Sequence, residues 1–215
     1  MSALAAHQLR YVYPDGTVAL DGIDFELREG ESVALLGANG SGKTTFVLCL
    51  AGLLRPTSGT VTSGEIGLVF QDADDQLFMP SVLDDVMFGL LNRGVPREEA
   101  ERIALASLHR VGIKDGIRRP PYHLSAGEKR RVAIAGVLAM NPRVLVLDEP
   151  TTYLDPPGQR ELVSILRSLP QAKIIVTHDA GFAAASATRA VFFQKGKIAG
   201  DSGVTELVER FNWTS

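Results

Sequence analysis

The segment Gly37-Ala38-Asn39-Gly40-Ser41-Gly42-Lys43-Thr44 fits the pattern G-x-x-x-x-G-K-[ST]. Its glycines let the backbone curl so that successive N–H groups converge, a geometry that takes up phosphate oxygens. A loop that opens into a helix adds a favourable dipole for an anion. In this reading Asn39, Gly40, Ser41, Gly42 and Thr45 form the wall of the cradle, Lys43 reaches the β- and γ-phosphates, and the Thr44 hydroxyl suits Mg²⁺. A chance match in a chain of this length is on the order of one in a hundred. The chemistry to expect is that of a nucleoside triphosphate.

A second group follows about a hundred residues later. The apolar run Val144-Leu145-Val146-Leu147 ends in Asp148 and Glu149. A parallel central strand delivers such residues to a phosphate site. Asp148 is then placed to hold Mg²⁺, and Glu149 to polarise a water as general base. Alone, two acids after a strand are as often a turn or a helix cap. His178 ends the next apolar run, residues 173–177, one strand–helix–strand unit further on. Alone it reads as a surface or capping residue; with the loop and the acids upstream, it is expected beside them at the same sheet edge.

These residues need a scaffold, and the pattern supplies one. Strands are predicted over residues 9–13, 18–20, 23–27, 32–36, 60–62 and 65–70, with a helix over 43–54 that ends before Pro56. Composition shifts at Gln71. Residues 72–141 read as mainly helical, with helices over 82–91, 97–111 and 128–140. Alternation then resumes: strands at 144–147, 173–177, 191–194 and 198–199, helices at 158–168 and 204–210. The expected fold is α/β, a mostly parallel core sheet with an antiparallel β part and an inserted helical subdomain. The division is residues 1–71 and 142–215 for the core and 72–141 for the insertion.

With 215 residues, 45% hydrophobic, the chain can bury a sizeable core. Net charge is −3 with a sequence pI near 5.8, which disfavours nucleic acid as main partner. One cysteine, Cys49, excludes an intrachain disulfide and reads as a small core residue. The N-terminus carries no signal-peptide pattern. The longest apolar run, residues 132–140, falls far short of the roughly 20 residues of a membrane span.

With these residues assembled, the chain resembles the nucleotide-binding domain of ABC transporters, the ABC-type P-loop NTPases. The decisive segment is Leu124-Ser125-Ala126-Gly127-Glu128-Lys129-Arg130-Arg131, similar to that family's LSGGQ signature. The resemblance implies an ATPase that uses ATP and Mg²⁺. Its signature residues Ser125, Ala126, Gly127 and Glu128 bind the γ-phosphate held by a second ATPase subunit, the same chain or a paralogue. It further implies that Tyr13 stacks on adenine, that Gln71 senses Mg²⁺, that Asp155 lies in a loop crossing the dimer interface, and that His178 is a switch histidine acting with Glu149 and Lys43. Ala126 stands in place of a glycine, acceptable where φ is negative. Glu128 stands in place of glutamine, putting a negative charge near the nucleotide. Tyr153 is bulkier than the residue common there.

Val69-Phe70-Gln71-Asp72-Ala73-Asp74-Asp75-Gln76-Leu77-Phe78 is similar to a segment of energy-coupling-factor importer ATPases, with Ala73 where proline is usual. Tyr13-Pro14-Asp15-Gly16 and residues 131–140 resemble the cobalt and nickel uptake members. This resemblance implies a transmembrane coupling subunit and a separate substrate-binding membrane subunit as partners, and a peripheral position on the cytoplasmic face of the membrane. Two rivals follow from the same residues: a soluble ABC ATPase that remodels a cytosolic partner, and a phosphate-loop kinase, which has no use for the signature.

Overall fold

The computed structural model describes residues 1–213. In chain order the elements are β1 (Ser2–Val12), β2 (Val18–Arg28), β3 (Ser32–Leu36), α1 (Lys43–Leu50), β4 (Ser58–Ser63) and β5 (Ile66–Val69). Then come α2 (Val82–Asn92), α3 (Arg97–Arg110), α4 (Ala126–Ala139), β6 (Val144–Asp148), α5 (Pro156–Ser168) and β7 (Ala172–Val176). The chain closes with α6 (Ala180–Ser186), β8 (Arg189–Gln194), β9 (Lys197–Ser202) and α7 (Val204–Arg210). They fall into two compact units: residues 1–68, 143–149 and 170 onward in the first, and residues 69–142 and 150–169 in the second.

The first unit holds two sheets. An antiparallel sheet runs β2-β1-β4, and a mostly parallel sheet runs β5-β6-β7-β3-β8-β9. In the latter β6, β7, β3 and β8 pair in parallel, and β9 returns antiparallel to β8. The central strands β3, β6 and β7 are almost wholly buried, as their continuous Val, Ile and Leu runs require. The fold class is the α/β one expected. Phe46 of α1 packs edge-on against Phe25 of β2 and tilted against Phe193 of β8, with ring centroids 5.4 and 5.2 Å apart. The helix that follows the Gly-rich loop is therefore wedged among apolar side chains of both sheets, and it is buried nearly all round.

Local departures from the expected elements have physical causes. α1 stops at Leu50, short of 54, because Gly52 takes φ +72° and the N–H groups of Leu53 and Leu54 both return to the Leu48 carbonyl. β1 begins at Ser2, well before residue 9. Its alanine-rich start has little strand propensity of its own, but pairing with β2 on one side and β4 on the other imposes it. α6 has no counterpart among the expected elements. Asp179 caps it by accepting from the Phe182 N–H at 2.8 Å.

In the second unit α2, α3 and α4 pack on one another through Val86, Met87 and Leu90, Ala100, Ala104 and Leu108, and Val132, Ile134 and Ala135. Small residues permit close approach: a Cβ added at Gly136 would lie 3.9 Å from the Val86 Cα. Among the described residues no helix is long and apolar enough to cross a membrane.

Candidate active site

The Gly-rich loop connects β3 to α1. Gly37 and Gly42 take φ +133° and +109°, conformations that side-chain-bearing residues rarely adopt. A Cβ at Gly37 would sit 2.3 Å from the Phe193 carbonyl oxygen, and one at Gly42 2.7 Å from that of Ala19. Only glycine lets the loop pass so near its neighbours. The Lys43 side chain is buried and donates to the carbonyls of Gly37 at 2.6 Å and Ala38 at 3.0 Å. Burial pushes its ammonium below the ordinary lysine range, and the nearby carboxylates of Glu149 and Asp148 oppose that shift. The Ser41 hydroxyl is buried with no partner among the described residues. A buried orphan hydroxyl in a loop of converging amides fits a site made for an oxygen-rich anion.

Thr44 is exposed at the start of α1, whereas Thr45 is buried and its hydroxyl lies 2.9 Å from the Tyr13 hydroxyl. Tyr13 is 37% exposed and its ring meets that of Tyr11 at 84°, while its hydroxyl is anchored on Thr45.

Asp148 and Glu149 leave the end of β6. Glu149 adopts φ +40°, and its N–H donates to the Val176 carbonyl at 2.9 Å, which fixes the turn that aims its side chain. Glu149 Oε2 lies 2.9 Å from His178 Nδ1. A carboxylate only accepts, so Nδ1 carries the hydrogen in this bond. The Glu149 side chain is largely buried, at 13% exposed, and the bond to His178 holds one of its two oxygens. The first unit thus brings Asp148 and Glu149 near Lys43 and His178 onto Glu149.

Such an arrangement can neutralise phosphate charge and take a proton from a water. The hard oxygens of Thr44 and Asp148 suit Mg²⁺. Among the described residues no cluster of three or more His, Cys, Asp or Glu could by itself hold a metal.

The signature residues lie in the second unit. Ser125 caps α4, and Glu128 closes a capping box: its carboxylate accepts from the Ser125 N–H at 2.9 Å and hydroxyl at 2.8 Å. These hydrogen bonds, the backbone one foremost, hold the Glu128 carboxyl below its usual value. Ala126 begins the helix and so has negative φ, the condition alanine needs. Gly127 has room for a Cβ, which would meet Leu154 at 3.7 Å. Asp155 caps α5 by accepting from the Gly158 N–H at 2.9 Å. Tyr153 takes φ +65° and is 78% exposed. Gln71 is exposed, and its carbonyl accepts from Arg130, whose guanidinium also donates to the Phe70 carbonyl at 2.6 Å. That arginine is not among the residues singled out from sequence, although it stands inside the signature segment.

The fold and this constellation define a P-loop ATPase. The profile of the ABC transporter family matches residues 20–152, and the chain belongs to that family. It is an ABC transporter ATP-binding subunit, a protein that binds ATP and hydrolyses it. The energy-coupling factor transporter ATP-binding protein EcfA of Methanococcus maripaludis is 43% identical over 217 residues, covering 92% of this chain and 78% of its own. EcfA of Methanosphaera stadtmanae is 48% identical over 195 residues, covering 82% and 70%. Among solved structures, cbiO1 from Clostridium perfringens, part of the ABC transporter complex cbiONQ, is similar with TM-score 0.89 and 37% identity, over 98% of this chain and 92% of its own. A dimeric ATP-binding cassette in a post-hydrolysis state bound to ADP and Pi is similar with TM-score 0.82 and 26% identity, over 94% and 98%.

Proposed function

We propose that this chain powers an importer of the energy-coupling-factor type, with cobalt or nickel ions as cargo. Likeness to the EcfA proteins and to cbiO1 supports the type, and the metal-ion cargo rests on the resemblance of Tyr13-Pro14-Asp15-Gly16 and residues 131–140 to the cobalt and nickel uptake members. Two ATPase subunits pair head to tail, each phosphate loop facing the partner's signature. They work at the cytoplasmic face of the membrane, against a transmembrane coupling subunit and beside a separate substrate-binding one. The nucleotide-binding core is residues 1–71 and 142–215, and the signature-bearing helical subdomain is 72–141.

The observation that carries the chemistry is the Glu149–His178 pair beside the buried Lys43. Glu149 takes a proton from a water as its oxygen bonds to the γ-phosphorus and the bond to the bridging oxygen breaks, leaving ADP and phosphate. His178 fixes the carboxylate, and Lys43 neutralises charge on the phosphates. Asn39 to Thr45 cradle the phosphates, and Tyr13 supports the adenine. Mg²⁺, when bound, supplies charge to the same phosphates. Thr44 and Asp148 are its proposed ligands, with Gln71 as its sensor. Ser125, Ala126, Gly127 and Glu128 contact the partner's nucleotide, and Asp155 contacts the partner.

Glu149→Gln tests the assignment. We expect hydrolysis to fall by a factor of about 10² or more and an ATP-dependent dimer to accumulate on size-exclusion chromatography. Wild-type turnover by this variant, with no such dimer, sinks the assignment.

A further inference from the structure

α7 ends in a short aromatic tail. The Phe211 ring stacks on Phe192 of β8, with centroids 3.9 Å apart and planes 1° from parallel, and Trp213 meets the same Phe192 ring edge-on at 5.4 Å. The backbone holds this turn closed: the Phe211 N–H donates to Leu207 at 3.0 Å and the Trp213 N–H to Val208 at 2.8 Å. These residues are therefore fixed against β8, one strand in from the β9 edge of the sheet. The last ring of the tail reaches further, because the Trp213 indole N–H donates to the main-chain carbonyl of His178 at 3.1 Å. That is the residue whose ring holds Glu149. The same indole and Phe211 also line a cavity of about 400 Å³ with Ala38, Asn39, Gly40 and Ser41 of the phosphate loop.

We propose that Trp213 is a positioning residue for hydrolysis, fixing the His178 backbone so that the imidazole presents Nδ1–H to Glu149. His178 follows closely on β7, and its side chain is 67% exposed, so little else near the ring limits where it points. Its N–H points towards Glu149 Oε2 at 3.4 Å, a long contact that holds the residue weakly. Thr177 and Asp179 on either side are tied to Leu35 and to the first turn of α6, and a firm donor on the carbonyl side adds a restraint on His178 itself. An indole is well suited to this, being rigid, a donor that does not accept, and here clamped by Phe192 along its apolar body. The indole donor is spent on the His178 carbonyl, so Trp213 acts through His178.

The proposal rests on the roles given above to Glu149 and His178, and the experiment separates the two. Trp213→Phe keeps an aromatic ring against Phe192 and deletes the donor. We expect circular dichroism and the melting temperature to stay close to wild type, kcat to fall about three- to ten-fold, as the loss of one hydrogen bond allows, and the KM for ATP to remain within about two-fold. Trp213 is the chain's single tryptophan, so its emission reads the same contact without reference to turnover. A slowly hydrolysed ATP analogue with Mg²⁺ is expected to shift that emission in the wild type and to shift it less in His178→Ala. A folded Trp213→Phe variant with wild-type kcat overturns the proposal. Should the variant fail to fold, the wild-type emission decides, and no response to the analogue overturns it. If Glu149→Gln hydrolyses ATP normally, the underlying assignment fails. If Glu149→Gln is inactive while Trp213→Phe is normal, only the role of Trp213 fails.

Discussion

Glu128 occupies a position where the family's glutamine would be neutral, and its charge is satisfied within its own helix. Both the N–H and the hydroxyl of Ser125 donate to it, and it lies at the positive end of the α4 dipole. Removing the carboxylate with Glu128→Ala opens the capping box, and a loss of about 0.5–2 kcal/mol is expected at neutral pH by urea denaturation. Its folded pKa is lowered, so this contribution is complete above the ordinary carboxylate range and is lost as pH falls through the lower folded value. The gap between wild type and variant should therefore close in acid; a gap independent of pH would show that the charge is not what stabilises the cap. Cys49 offers a second test on a single side chain. It is 2% exposed, and burial raises its thiol pKa to about 11. A thiol reagent at a pH of about 8 should leave the folded chain unlabelled and modify it promptly in denaturant, since the thiolate is the reactive form.

Between elements, the join of the Gln71 segment to α4 is the most informative. Arg130 is 3% exposed and donates to the carbonyls of Phe70 and Gln71, while Lys129 pairs with Asp74 at 2.6 Å. The two ties differ in weight. The Asp74 side chain is 62% exposed, so that ion pair contributes about 0–1 kcal/mol. Arg130 serves carbonyls from inside the unit, and their loss of a donor costs about 1–3 kcal/mol. Arg130→Met, which keeps the apolar stem, should destabilise by that amount and speed amide exchange around residues 70–76. Lys129→Ala should do neither. Equal effects from both would show that burial does not decide the difference.

For the molecule in its entirety, the proposed completion of the site by a second subunit predicts that hydrolysis depends on encounter. The rate per chain of the purified protein should rise with protein concentration below the dimer dissociation constant; a rate per chain that is flat across that range argues against a composite site. The features legible in the sequence are those whose contacts are local. The glycine spacing around Lys43 and the run Leu124 to Arg131 are read within a few residues, whereas the capping box between Ser125 and Glu128 is seen only in the folded chain. The continuous apolar runs of β3, β6 and β7 likewise announce a buried parallel sheet. The start of β1 and all of α6 are silent because alanine-rich stretches carry no strand or helix period, and pairing or a distant packing partner decides them. The order of residues is thus enough to specify the phosphate loop, the succession of two strand-end acids and a histidine, and the class of fold. It took the folded chain to settle that Glu149 bonds His178 across 29 residues, that Arg130 holds carbonyls 59 and 60 residues away, and that Trp213 reaches the His178 backbone. Those contacts depend on strand register and on single backbone angles such as φ +40° at Glu149, which the pattern of neighbouring residues does not encode.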